Sequence, residues 1–462
     1  MAKSPFTKRD EKRELTRRAL IKWSVAAGAA LGVSRSSVFD ILEGTVDKNL
    51  AYAASDNAMT RSVHVVAGNG GLAWFSLLWP QVEIAMAGNN TFAWHRPGMA
   101  TLVPGTHKPL AIGPDTPWRE LPAGRQVTVF TCGSNETHTN NPVSVTGLNG
   151  ANIFSVASAL QSGVPSVIPV VTIGDVDIGT APGGARAANV GSGDGIVGLF
   201  NSAASRAGGL LATTTDAQLY KAHYDAFIQL NRAANRSTTK GSYTTGQGAA
   251  QFLGTNLSAK LQITPDDLTR YGVTAGTRQN VTNIARAFIV TVKAFKMGLT
   301  NSVVLPAMRD DPHGAFDGGD VNTIPAALKK VFDGFMADLT STTDDTTLKS
   351  LADDTVITIH GDTTKNPLVR SGWPDGSPGN TNTVYVYSAG HLKSGHFGQV
   401  KANGTAEGFN ASGAAATYNG AQTSRFAMAS IAYAIAKRDE RAISTFANGL
   451  TISNNFGNPK EL

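Results

Sequence analysis

The chain has 462 residues, 41% of them apolar and 16% charged, which excludes a disordered polyelectrolyte and leaves room for one large α/β domain or two ordinary ones. Its formal charge is +6, but residues 1–54 carry ten Lys/Arg against six Asp/Glu, so +4 of that sits in the N-terminal segment and only about +2 in the rest. No basic stripe with interleaved aromatics follows, so the charge gives no ground for nucleic-acid binding. The single cysteine, Cys132, excludes an intramolecular disulfide and a Cys-based zinc cluster.

The N-terminal segment is basic, from Lys3 to Arg18, and leads into Thr16-Arg17-Arg18-Ala19-Leu20-Ile21-Lys22. The apolar stretch Trp23–Val33 is too short to span a bilayer. Small residues follow at Ala51-Tyr52-Ala53-Ala54, the kind of site that a signal peptidase reads. Residues 1–54 are expected to be a signal segment and linker, and residues 55–462 a single α/β domain. No later run is long and apolar enough for a transmembrane helix in the mature chain.

Arg61–Ala67 reads as a buried strand, ended by Gly68-Asn69-Gly70-Gly71. A phosphate-cradling loop needs a Lys after such glycines, and none is present. Gln126–Cys132 is the next strand, with Cys132 as packed core, and His138 lies in the polar loop after it. Val164–Ile173 is a further apolar run, and 174–209 reads as an irregular connection. A helical pattern is expected at 214–236 and an amphipathic helix at Gln279–Leu299, with Ile284, Phe288, Val292 and Phe295 on one face. Ser302–Met308 reads as a strand, Pro325–Leu339 as a helix, Thr355–Ile359 and Thr383–Ser388 as strands, and Phe426–Ala436 as the helix that closes the chain. Helices alternating with short β-branched strands predict a mostly parallel sheet sandwiched by helices.

Sites in such sheets form beyond the carboxyl ends of the strands. Those positions hold His138; Asp311 and His313 in Arg309-Asp310-Asp311-Pro312-His313; His360 and Asp362 in His360-Gly361-Asp362-Thr363; and Asp375 in Trp373-Pro374-Asp375-Gly376. Carboxylates and imidazoles at several strand ends suit a divalent-metal hydrolase, in which the ion activates water or polarises an ester. The same residue types also make ordinary turns or a structural Ca²⁺ loop, and both readings stay open. His391 and His396, flanking Lys393, are expected on a solvated loop, Trp74, Trp79 and Trp94 in core or rim packing, and Lys437–Arg441 at a helix end facing water.

The leader resembles a twin-arginine signal, which implies recognition of Arg17 and Arg18 by the twin-arginine translocation machinery, folding before export, and a periplasmic or secreted destination. The order of motifs behind it resembles the DUF1501 family of the alkaline phosphatase and sulfatase superfamily. The strand and turn Val63–Leu72, the His138 loop, Asp311-Pro312-His313 with a helix behind it, and the later strands ending in Lys393-Ser394-Gly395-His396-Phe397-Gly398 carry the likeness. The resemblance implies an alkaline-phosphatase-like fold and a phosphate- or sulfate-ester hydrolase using Zn, Mn or Ca. Asp311 and His313 are the expected metal ligands, with His360, Asp362 and Asp375 as possible further ligands and His138 as ligand or acid/base. The chain departs from the family where a Glu-Phe-Gly-Arg loop becomes His360-Gly361-Asp362-Thr363 and an Asp-His pair becomes Asp375-Gly376; no nucleophile stands at the first turn. The departures leave a second reading, a non-catalytic exported binding or envelope-associated protein on a hydrolase-derived scaffold.

Overall fold

A computed structural model describes residues 59–66, 79–92, 98–133, 146–164, 166–199, 252, 256–307, 320–345, 347–361, 364–372 and 374–458. The twin-arginine segment, the first glycine turn, the helical pattern at 214–236, Trp74, Trp94, His138, Asp311, His313 and Asp362 lie outside these residues.

The strands are β1 (Arg61–Val66), β2 (Thr101–Val103), β3 (Leu110–Ile112), β4 (Thr128–Cys132), β5 (Gly147–Leu148), β6 (Ala151–Asn152), β7 (Val170–Ile173), β8 (Ala188–Val190), β9 (Ser302–Pro306), β10 (Thr355–His360), β11 (Asn382–Tyr387), β12 (Gly395–Phe397), β13 (Gln399–Val400), β14 (Ala406–Phe409) and β15 (Ala415–Thr417). Eight of them form one sheet in the order β12-β4-β11-β10-β1-β9-β7-β8. β11 runs antiparallel to both its neighbours, and every other pairing in the sheet is parallel. β1, β4, β9 and β10 therefore point the same way, and the chain leaves all four at one edge.

The helices are α1 (Val82–Met86), α2 (Ile153–Leu160), α3 (Gly193–Leu199), α4 (Leu257–Leu261), α5 (Pro265–Arg270), α6 (Gln279–Lys296), α7 (Asp320–Ser341), α8 (Gly420–Ile435) and α9 (Glu440–Ala447). Strand alternation splits the sheet's side chains between two cores. Val63 and Val65 pack with Phe288 of α6 and Phe332 of α7, whereas Val66 joins Phe154 of α2 and Met428 of α8. All six residues of β1 are buried, as expected for a strand covered on both faces.

α6 ends three residues before the expected Leu299. Gly298 adopts φ +67°, its N–H bonds Phe295 O at 3.0 Å, and Leu299 N–H bonds Ala294 O at 2.9 Å. This left-handed cap satisfies carbonyls that the next turn of helix would have taken. α7 begins at Asp320 rather than at Pro325, which stays inside the helix without a backbone N–H to give. The expected irregular connection after Ile173 contains β8 and α3.

α8 does not close the chain. Lys437 and Arg438 take left-handed φ values of 48° and 67°, and Asp439 caps α9 by accepting from Arg441 N at 3.0 Å. Lys437–Asp439 is thus an inter-helix turn, and Glu440 and Arg441 open α9. Lys437 pairs with Asp354 at 2.7 Å, Arg438 Nε donates to His391 Nδ1 at 3.1 Å, and the Glu440 carboxylate accepts from Ser453 N at 3.2 Å.

α5 starts in a capping box in which Thr264 Oγ1 accepts from Asp267 N and Asp267 Oδ2 accepts from Thr264 N. Burial works against the Asp267 charge, but hydrogen bonds from Lys293, Thr264 and Arg270 outweigh it and hold the carboxyl at about 2. Its folded value is depressed, so its contribution is full above the unfolded value near 4 and fades as pH falls toward 2. Asp267→Ala is expected to lower stability by about 2 kcal/mol at neutral pH, read from urea midpoints, with a smaller penalty in acid.

Candidate site at the carboxyl edge of the sheet

β10 runs one residue further than its pattern suggested, so His360 is a strand residue and not the start of a loop. Alternation puts Thr358 and His360 on the same face, and Thr358 stands directly opposite His64 of β1 in the parallel register. Thr358 Oγ1 lies 2.7 Å from His64 Nδ1 and 2.8 Å from His360 Nε2. Phe154 of α2 covers the pair, its ring 5.0 Å from that of His64 and 5.2 Å from that of His360.

Both imidazoles are buried in the sheet's α2/α8 face. Burial pushes His360 down to about 3, and burial together with the neighbouring His360 pushes His64 well below the usual histidine range. Both rings are therefore neutral at neutral pH and keep a lone pair. His64 Nε2 and His360 Nδ1 are buried and have no hydrogen-bond partner. An orphaned neutral imidazole nitrogen at a strand end is chemically a cation ligand or a hydrogen-bond partner for a bound molecule.

Asp375 is engaged by a lysine. It faces Lys365 across an isolated antiparallel bridge, and its Oδ1 accepts from Lys365 Nζ at 2.5 Å. The Lys365 side chain is 2% exposed and that of Asp375 51%, so the carboxylate serves as the counter-ion of a buried ammonium. Among the described residues, no three His, Cys, Asp or Glu side chains gather around a common point.

His391 and His396 are not on a solvated loop. His396 is 5% exposed, and its Nδ1 donates to Pro109 O at 2.8 Å. His391 accepts from Arg438 through Nδ1, which leaves its hydrogen on the orphaned Nε2. Cys132 is buried at the end of β4, and burial pushes its thiol up, away from the thiolate that a nucleophile needs. Trp79 packs with Val82, Ala85 and Ala111 in a small core of its own.

The residues that sequence reading passed over are His64 and Thr358. The available signal was a His inside an otherwise apolar strand, Ser62-Val63-His64-Val65, and a Thr and a His two apart on β10. Their pairing rests on the β1–β10 register, which joins positions 294 residues apart.

No family model matches the chain, and no match is found among curated proteins or solved structures.

Proposed function

We propose that the chain is an exported protein with a metal-dependent, hydrolase-like domain of alkaline-phosphatase type, directed at phosphate or sulfate esters. The observation that carries this reading is the common direction of β1, β4, β9 and β10, whose carboxyl ends meet one edge of the sheet. In sequence, β4 is followed by His138, β9 by Asp311 and His313, and β10 by Asp362. Open α/β sheets bind their ligands beyond this edge. His360, the last residue of β10, carries an orphaned imidazole nitrogen, which fits a Zn ion as one ligand of several, whereas Mn or Ca would need oxygen ligands from the loops. Such an ion, when bound, polarises the ester or activates water. His138 is assigned as ligand or acid/base.

The leader is the second part of the proposal. Arg17 and Arg18 are read by the twin-arginine translocation machinery, and the product is periplasmic or secreted. Among the described residues no helix is long and apolar enough to cross a membrane.

Elemental analysis of protein purified without chelator tests the reading. Roughly one or two bound ions per chain are expected, together with hydrolysis of simple phosphate or sulfate esters. Metal-free protein that takes up no Zn, Mn or Ca on incubation overturns it. That outcome favours the second reading, a non-catalytic exported binding protein, which the engagement of Asp375 by Lys365 supports.

A further inference from the structure

The turn between α8 and α9 is held by a contact that only one protonation state of His391 allows. Arg438 Nε donates to His391 Nδ1 at 3.1 Å, and the same guanidinium donates to Gly390 O at 3.4 Å. A guanidinium has no lone pair to offer, so the ring must be bare at Nδ1 for this bond to form. A proton on Nδ1 sets two donors and two positive charges against each other. Arg438 and Lys437 come from the turn and Arg125 from the segment before β4, and all three oppose a charge on the imidazole. The carboxylates beside them are engaged: Asp353 pairs with Arg125 at 2.6 Å and Asp354 with Lys437 at 2.7 Å. Asp439 caps α9, Glu440 accepts from Ser453 N, and Lys393 donates to Asn454 O. The closed turn is also costly to hold. Lys437 and Arg438 are consecutive non-glycine residues in left-handed backbone, at φ 48° and 67°. The Nε2–H of His391 is buried without an acceptor.

We infer that the Arg438–His391 contact is an acid-opened latch: protonation of His391 releases the α8–α9 turn, residues 437–439, from the segment 390–392 that follows β11. The latch is separate from the metal-dependent reading above. In the closed turn His391 is held down to about 3, first by burial and then by Arg438, Lys437 and Arg125, whereas a ring freed into water returns to about 6.5. The open turn therefore binds the extra proton, and opening is favoured as pH falls from about 6.5 toward 3. Asn458 donates from its N–H to His391 O at 2.9 Å and from Nδ2 to Gly390 O at 2.7 Å. These bonds go to backbone and do not titrate, so 390–392 stays in place when the turn opens.

Hydrogen exchange of backbone amides in the full chain, corrected for the intrinsic pH dependence of exchange, tests the latch. The reporters are Lys437, Arg438 and Asp439, whose N–H groups bond Ala434 O, Tyr433 O and Ala436 O at 3.1, 3.0 and 3.0 Å. Between about pH 7.5 and 5.5 their opening constant is expected to rise about tenfold, because a freed ring takes up its proton across that span. The amides of β1, which report unfolding of the whole chain, should stay far better protected at both pH values. His391→Asn keeps an acceptor for Arg438 and cannot titrate, so its turn should show no pH response. Should that variant fail to fold, ¹⁵N spectroscopy of the histidine side chains in the unaltered chain decides, with His391 expected to carry its hydrogen on Nε2 and to be bare at Nδ1 at neutral pH. An opening constant independent of pH, or an equal response in the variant, overturns the latch. So do turn amides no less protected than those of β1, or a hydrogen on His391 Nδ1 at neutral pH.

Discussion

At about pH 4.5 the protein is expected to have lost most of the stability it has at pH 7, through histidines that the fold holds neutral. Burial pushes His360 down to about 3; burial, with Arg438, Lys437 and Arg125 nearby, does the same to His391. Burial also lowers His107 to about 4, with Lys108, Lys393 and His396 adding to it, and lowers His64 and His396. The sign follows from linkage. Each group has a folded value below its unfolded value near 6.5, so between the two the unfolded chain binds more protons, and stability falls as pH falls. The contribution is intact above about 6.5 and is lost progressively on the way down to about 3. At about pH 4.5 the buried His360 alone accounts for roughly 2–3 kcal/mol, and the partly buried His391 for somewhat less. Together they approach the total stability of an ordinary domain, about 5–15 kcal/mol.

Melting temperatures of chelator-treated protein across this pH range check the expectation. His391→Asn removes one titrating ring while its amide oxygen can still accept from Arg438. That variant should show a shallower decline by about 1 kcal/mol or more at pH 4.5. A melting temperature flat from pH 7 to 4.5, or an unchanged slope in the variant, would rule the mechanism out.

How far the fold was legible follows from what periodicity encodes. Ile284, Phe288, Val292 and Phe295 announce α6 because helix spacing repeats locally, and all four are buried. β-branched runs announce β1, β9 and β10 for the same reason. Direction is not in the pattern. Asn382–Tyr387 alternates like its parallel neighbours, yet it runs antiparallel, since both kinds of buried strand select the same side chains. The site was legible only where it is local. Loop carboxylates after strands stand out in the chain, but the capture of Asp375 depends on a buried Lys365, and the His64–Thr358–His360 contact depends on strand register. Neither register nor long-range pairing leaves a mark at either partner. Lys437–Arg441 shows the same limit. Its charges looked solvated, whereas Lys437 and Arg438 bond groups far away in the chain.

Asp344→Ala is expected to cost about 3–5 kcal/mol, the largest effect of any single change at the amino edge of the sheet. Arg61 opens β1 and is 5% exposed; Asp344 is 1% exposed. Arg61 Nε donates to Asp344 Oδ2 at 3.1 Å, and its NH2 group bonds the same oxygen. NH1 donates to Thr300 O and to Asn301 Oδ1, each at 3.2 Å, and the guanidinium lies 5.6 Å over the Phe295 ring. One side chain thus ties the start of β1 to the segment after α7 and to the α6–β9 connection. Removing the carboxylate leaves a guanidinium in the core with its charge uncompensated, which costs far more than losing a surface pair. Replacing both partners, Arg61→Met with Asp344→Leu, removes the stranded charge and should recover a large part of the loss. Recovery should be incomplete, because Thr300 O and Asn301 Oδ1 lose their donor. Urea midpoints at constant m-value separate the cases. A single-variant cost under about 1 kcal/mol, or a double variant no better than the single, would show the pair behaving as a solvated one. The same strands carry His64 and His360 toward their opposite ends, so the anchor fixes the register on which the shared Thr358 hydroxyl depends.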